Sequence, residues 1–260
     1  MAKKKILLLS DDLRMTSGIA NVSKQLVLGT VDKYDWVQLG AAIKHPDQGK
    51  IFDLSESVRN ETGVQDASVK LYPSDGYGNP DMIRQIIRQN KPDILWFMTD
   101  PRFYLWLWDI EDEIRCNVPM VYYHVWDNKP YPNFNRPYYM SNDVIATISK
   151  VTDDIVANVA PEVERHYLPH SVDMSVFKKM SQENIEAFRK RVFPKDKQKR
   201  FTVFWNSRNA RRKNPGSVVW WYADFLKHVP KDSCHLLMHT DPKDVHGPDL
   251  EAIINELGLT

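Results

Sequence analysis

The sequence predicts an α/β chain built from two Rossmann-like domains, the second of them incomplete. Three observations carry this reading. Short, near-continuous apolar runs alternate with helical patterns along most of the 260 residues, as in a parallel sheet covered on both faces. The alternation breaks after Leu168-Pro169 and resumes at Phe201, which places a domain junction in between. Only two strand–helix units follow that junction, fewer than a doubly wound domain needs. The expected domains are 1–170 and 171–260.

Each element has its own signal. Residues 6–10 (ILLLS) read as a buried first strand, and 18–28 as a helix with Ile19, Val22 and Leu26 at helical spacing. Residues 35–43 and 69–72 read as strands. A helix over 81–90 is opened by Asn79-Pro80, a capping residue followed by proline at the first helical position. Residues 93–99 are a strand rich in large apolar side chains, 102–115 a helix, 120–126 and 144–149 strands, and 151–159 a helix. Beyond the junction, 181–191 is a charged helix, 201–206 a strand, 215–229 a helix, 235–239 a strand and 248–257 a helix.

Composition narrows the function classes. At 42% apolar and 27% charged residues the chain can bury a sizeable core. A net charge of +1 gives no reason to expect nucleic acid or a membrane surface as partner. Two distant cysteines, Cys116 and Cys234, fit a reducing compartment and argue against a disulfide framework or a cysteine-ligated zinc. Lys3-Lys4-Lys5 before Ile6-Leu7-Leu8-Leu9 superficially resembles a secretion signal. The apolar run is too short, and Asp11-Asp12 follow at once. No apolar stretch is long enough to span a bilayer. The cytoplasm is the expected location.

Ligands of open parallel sheets bind beyond the carboxyl ends of the strands, where loops lead into helix N-termini. Two loops fit. In the first, residues 10–18, Ser17 caps the coming helix and Gly18 either serves the turn or lets a phosphate approach free backbone amides. In the second, the strand ending at Asn206 feeds Ser207-Arg208-Asn209-Ala210-Arg211-Arg212-Lys213, and Asn214-Pro215 opens a helix. Cations beside the positive end of a helix dipole are unfavourable unless an anion lies between them. A diphosphate would resolve that conflict, with Arg208 as a planar multidentate donor and Lys213 as a point charge. The alternative is a solvated basic loop.

His124, at the end of the strand over 120–126, is expected at the same sheet edge as the first loop. There it would either hydrogen-bond a sugar hydroxyl or serve as a satisfied strand-end histidine. His170 reads as structural, and His239, Asp241 and His246 lack convincing metal spacing. Phe103, Tyr104, Trp106 and Trp108 are read as core rather than as a stacking platform.

Leu168-Pro169-His170-Ser171-Val172-Asp173, with Phe177 following, resembles the junction motif of retaining GT-B-fold glycosyltransferases, the group 1 or family 4 type. Ser171 stands where that family usually has glycine. Arg208 and Lys213 are similar in spacing to the family's donor-loop arginine and lysine, with Ser207 in place of its glycine. Gly18 matches its glycine-rich first loop, and His124-Val125-Trp126-Asp127 resembles its fourth-strand histidine motif.

The resemblance implies a GT-B architecture and transfer of a sugar, with retention, from a nucleotide-sugar donor such as a UDP- or GDP-sugar to an acceptor hydroxyl. It implies no metal and no further cofactor. Arg208 and Lys213 would stabilise the leaving diphosphate. Asn206, Ser17 and Gly18 would contribute to binding, and the acceptor would lie near Gly18 and His124. A pair of glutamates seven residues apart, expected later in the family's second domain, lies beyond Thr260. The alternatives are a nucleotide-sugar-binding module without activity of its own, a nucleotide-sugar epimerase, and nucleic-acid binding through residues 208–213, which would weaken steeply with salt.

Overall fold

The computed structural model describes residues 2–43, 47–230 and 232–259. The chain divides into two compact units, Met1–Asp173 and Met174–Thr260.

The first unit runs β1 (Lys4–Asp11), α1 (Gly18–Leu28), β2 (Tyr34–Ile43), β3 (Phe52–Asp53), α2 (Ser55–Thr62), β4 (Val69–Asp75), α3 (Pro80–Asn90), β5 (Ile94–Met98), α4 (Leu105–Trp108), α5 (Glu111–Arg115), β6 (Met120–His124), α6 (Arg136–Met140), β7 (Val144–Thr147), α7 (Lys150–Val159) and β8 (Glu164–Tyr167). Its sheet has the order β3-β4-β2-β1-β5-β6-β7-β8. Every pairing is parallel except β3 with β4.

Strand periodicity explains why the apolar runs are continuous. Side chains alternate faces, so Leu7 and Leu9 of β1 join Val37, Leu39, Ile83, Leu95 and Phe97 in one core. Ile6 and Leu8 join Val27, Trp36 and Val69 in the other. The chain leaves β1 toward β2 on one side and returns through α3 to β5 on the other. The carboxyl edge between β1 and β5 is therefore the topological switch point, where such sheets open a ligand crevice.

The second unit has α8 (Gln182–Val192), β9 (Phe201–Asn206), α9 (Pro215–Phe225), β10 (Cys234–His239) and α10 (Leu250–Glu256). Its two strands are parallel, with Asn206 opposite His239 at their carboxyl ends. Two strands bury little: Val219, Cys234 and Leu250 are covered, while Phe204, Trp220 and Trp221 are each more than half exposed.

Four local expectations change. The single helix over 102–115 is broken into a 3-10 turn at Pro101–Tyr104, α4 and α5. Asp100 caps the turn, and the Trp108 indole donates to the Pro101 carbonyl at 3.1 Å. Rebending lets Tyr104, Leu107, Trp108 and Ile114 all reach the same core. α2 and β8 carry almost no apolar signal, as SESVRNET and the wholly exposed ERHY. Asn214 does not cap α9 with its side chain; it sits at φ 49 in the left-handed region, which asparagine tolerates.

Candidate functional site

The first loop is tied down by its own polar groups. Ser17 accepts from the Ala20 amide at 3.0 Å and donates its hydroxyl to Asp11. Asp11 is only 5% exposed and also accepts from the Tyr77 hydroxyl at 3.3 Å. Burial and that carboxylate push the Tyr77 hydroxyl up to about 12, so it remains a donor at neutral pH. Asp12, also buried, is held by the Arg14 guanidinium at 2.9 Å. The loop approaches β2 at Gly40, where a Cβ would meet Leu71 at 2.6 Å and the Asp12 backbone at 3.2 Å. Gly18 opens α1 with empty space over its α-carbon. Asp11 reaches this helix start through the hydroxyl of Ser17, and Asp12 is neutralised by Arg14.

The far side of the switch point is strained. Thr99 follows β5 at φ 138, costly for a β-branched residue. The Tyr122 hydroxyl donates to its carbonyl at 2.6 Å, and the Tyr104 hydroxyl lies 3.0 Å from the Leu9 carbonyl and 3.1 Å from that of Met98. Two buried tyrosines thus fasten the ends of β1 and β5, and burial raises both phenols well above their ordinary value.

His124 ends β6 at this edge but is 0% exposed. Its Nε2 lies 2.6 Å from the Tyr139 hydroxyl, which also accepts from Asn135 at 3.4 Å. Burial lowers its pKa to about 3, so the ring is neutral at pH 7. The side chain points into the core, because β6 ends with His124 on the face that packs against α6, and its Nδ1 is buried without a hydrogen-bond partner among the described residues. In its place Val125, Trp126, Asp127 and Asn128 line a cleft of about 560 Å³ at the carboxyl ends of β5 and β6.

In the second unit, Arg208 is bound from the opposite loop. Its Nε donates to Asp244 at 2.7 Å, and one η nitrogen contacts Asp244 at 3.4 Å and His246 at 2.8 Å. The guanidinium holds Asp244 well below the usual carboxylate range, with the His246 amide helping. Arg208 is still 62% exposed, and its other η nitrogen is unbonded among the described residues. Asn209 is fully buried and donates to the carbonyls of Pro242 and Pro248 at 3.2 and 2.9 Å. Asn206 meets His239 at 2.9 Å across the strand ends.

Lys213 is exposed in a short 3-10 turn with Arg211 and Arg212. No ion pair joins any of the three to a carboxylate among the described residues. A cleft of about 450 Å³ at the start of α9 is lined by Arg211, Asn214, Pro215, Gly216, Ser217, Gly247, Pro248 and Ile253. Neither Arg208 nor Lys213 lines it. Sequence reasoning missed Asp11, Tyr77, Asn209 and Asp244, whose partners, Ser17 apart, lie far away in the chain.

With this geometry in hand, the fold can be compared with known proteins. No protein-family model matches the chain, and no curated protein matches it. Solved structures do. The trehalose-6-phosphate phosphatase N-terminal domain of Candida albicans aligns over 98% of this chain and 68% of its own, at 13% identity and TM-score 0.61. A glycosyltransferase of Rickettsia africae aligns over 100% and 66%, at 15% identity and TM-score 0.61. An E. coli trehalose-6-phosphate structure bound to UDP-2-fluoro glucose aligns over 98% and 68%, at 9% identity and TM-score 0.60. The chain spans about two thirds of the length of each. At such identities the likeness defines the fold alone: α/β, with two Rossmann-like units of the GT-B type.

Proposed function

We propose that the chain is a glycosyltransferase, or the part of one, that moves a sugar from a nucleotide-sugar donor to an acceptor hydroxyl, with retention and without a metal. The second unit binds the donor and the first binds the acceptor. One observation carries this reading. Arg208, Arg211, Arg212 and Lys213 lie between the carboxyl end of β9 and the N-terminus of α9, whose first turn holds no acidic residue. Asp244 is their sole carboxylate partner among the described residues. Such an excess of positive charge beside free helix amides suits a diphosphate. A leaving nucleoside diphosphate gains negative charge in the transition state, and fixed cations lower that barrier. The neutral His124 acts by packing and not as an acid or base. The two unpaired cysteines, Cys116 exposed and Cys234 buried, support a reducing, cytoplasmic setting.

The test is titration of the chain with UDP, GDP, ADP and their common sugar conjugates. UDP comes first because the aligned E. coli structure holds a UDP-sugar. One nucleotide class should bind, and Arg208→Ala/Lys213→Ala should weaken it by about 100-fold, as expected from losing two charge-assisted contacts of roughly 1.5 kcal/mol or more each. No binding to any nucleotide, or equal binding by the double variant, overturns the assignment. Retention is read from the anomeric coupling of the product, and metal independence from turnover in chelator.

A further inference from the structure

The cleft at the carboxyl ends of β5 and β6 has a chemistry opposite to that of the donor loop. Three pieces of the first unit form it: the segment after β5 with Asp100, Arg102 and Leu105; the segment after β6 from Val125 to Asn128; and the turn into α6 with Phe134, Asn135 and Tyr138. Its volume of about 560 Å³ falls in the usual range for small-molecule sites, roughly 300–1,000 Å³.

The apolar wall is aromatic. Trp126 and Phe134 meet edge to face with centroids 5.8 Å apart, and Phe134 is 69% exposed. Its ring has solvent where a ligand could lie. The Trp126 indole N–H is already used, donating to the Asn128 carbonyl at 3.2 Å, which orients the ring. Around this wall stand hydrogen-bonding groups. Asp127 is exposed and makes no hydrogen bond or ion pair among the described residues. Asn135 is 2% exposed and held from behind through Tyr139 by His124.

Charge decides what such a site accepts. Two carboxylates, Asp100 and Asp127, face a single guanidinium, and Asp100 already holds that Arg102 at 3.0 Å. An anion entering the cleft would meet two carboxylates, one of them unpaired, against one guanidinium that Asp100 engages through its Nε. An uncharged, hydroxyl-rich ring meets what it needs: an aromatic face for its C–H groups, and carboxylate and amide oxygens that accept from its hydroxyls. We infer that this cleft binds the acceptor, and that the acceptor is an uncharged carbohydrate rather than a sugar phosphate. The acceptor role rests on the proposed glycosyltransferase function; the ligand chemistry rests on the cleft.

The experiment is titration of the full chain, followed by tryptophan fluorescence and saturation-transfer NMR. The probes are glucose, galactose, mannose, N-acetylglucosamine and maltose, with glucose 6-phosphate as the anionic comparison, each with and without UDP. At least one neutral sugar should bind with a roughly millimolar Kd and about tenfold more tightly than glucose 6-phosphate. Asp127→Asn and Trp126→Ala should each weaken it by about tenfold while leaving UDP affinity unchanged. Asp127 is exposed, so its variant keeps the fold should Trp126→Ala, which packs against the core, lose it.

Tighter binding of glucose 6-phosphate, or neutral-sugar binding untouched by Asp127→Asn, overturns the inference. UDP binding with no neutral-sugar binding overturns this site alone. Neutral-sugar binding without any nucleotide binding supports the cleft and instead overturns the donor reading.

Discussion

His124 shows how burial at the edge of a sheet sets the charge state of a residue. Fully buried, it must stay neutral, and its folded pKa of about 3 lies below the ordinary histidine value of 6.5. The unfolded chain therefore binds a proton there between pH 6.5 and 3 that the folded chain refuses. Stability is complete above pH 6.5 and falls as the pH drops through that window, by about 1.4 kcal/mol per unit. Replacing His124→Phe removes this contribution. Urea unfolding at pH 7 and pH 5 should show a smaller loss of stability in the variant than in the parent. Equal losses would mean that the imidazole is hydrated and ordinary. Arg208 is the contrasting case. It is exposed and held by one carboxylate, so the pairing adds little stability; in the proposed donor role it would chiefly keep the guanidinium in place for an anion.

At the scale of elements, the basic loop before α9 and the loop after β10 are stitched together. Asn209 reaches two proline carbonyls, Pro242 and Pro248. Gly247 makes that closeness possible: a Cβ there would lie 1.9 Å from the Asn209 amide oxygen and 2.7 Å from its backbone oxygen. Gly247→Ala should push the loops apart, release Asn209 and displace Arg208 from Asp244. Nucleotide affinity should drop by about tenfold or more, with a loss of stability of about 1–3 kcal/mol. Calorimetric titration and a melting curve read both. Unchanged nucleotide binding would show that the loops need not touch to hold the anion. No propensity scale reports this contact, because its partners are more than thirty residues apart.

At the scale of the molecule, the two units have separate cores of different quality. The first encloses an eight-stranded sheet between two apolar layers. The second packs its helices on a two-stranded sheet and leaves Phe201, Phe204, Trp220 and Trp221 exposed. Two cores of such unequal burial should not unfold as one cooperative unit. Thermal melting is expected in two steps, the lower belonging to the second unit and raised by a bound nucleotide through mass action. A single transition with no nucleotide effect would contradict this.

Much of this protein was legible along the chain. Asn79-Pro80 opened α3, Ser17 capped α1, and 201–206 matched β9 residue for residue. These signals are local, since capping and side-chain alternation act within a turn or two of the backbone. The basic loop and its place before a helix were readable for the same reason. Only the tertiary structure decided what those residues touch. It paired Arg208 with Asp244 across 36 positions and Tyr77 with Asp11 across 66. It turned His124 inward and put Trp126, Phe134 and Asn135 around a cleft. Strand order sets such neighbours, and strand order is a property of the folded sheet that no window of sequence contains.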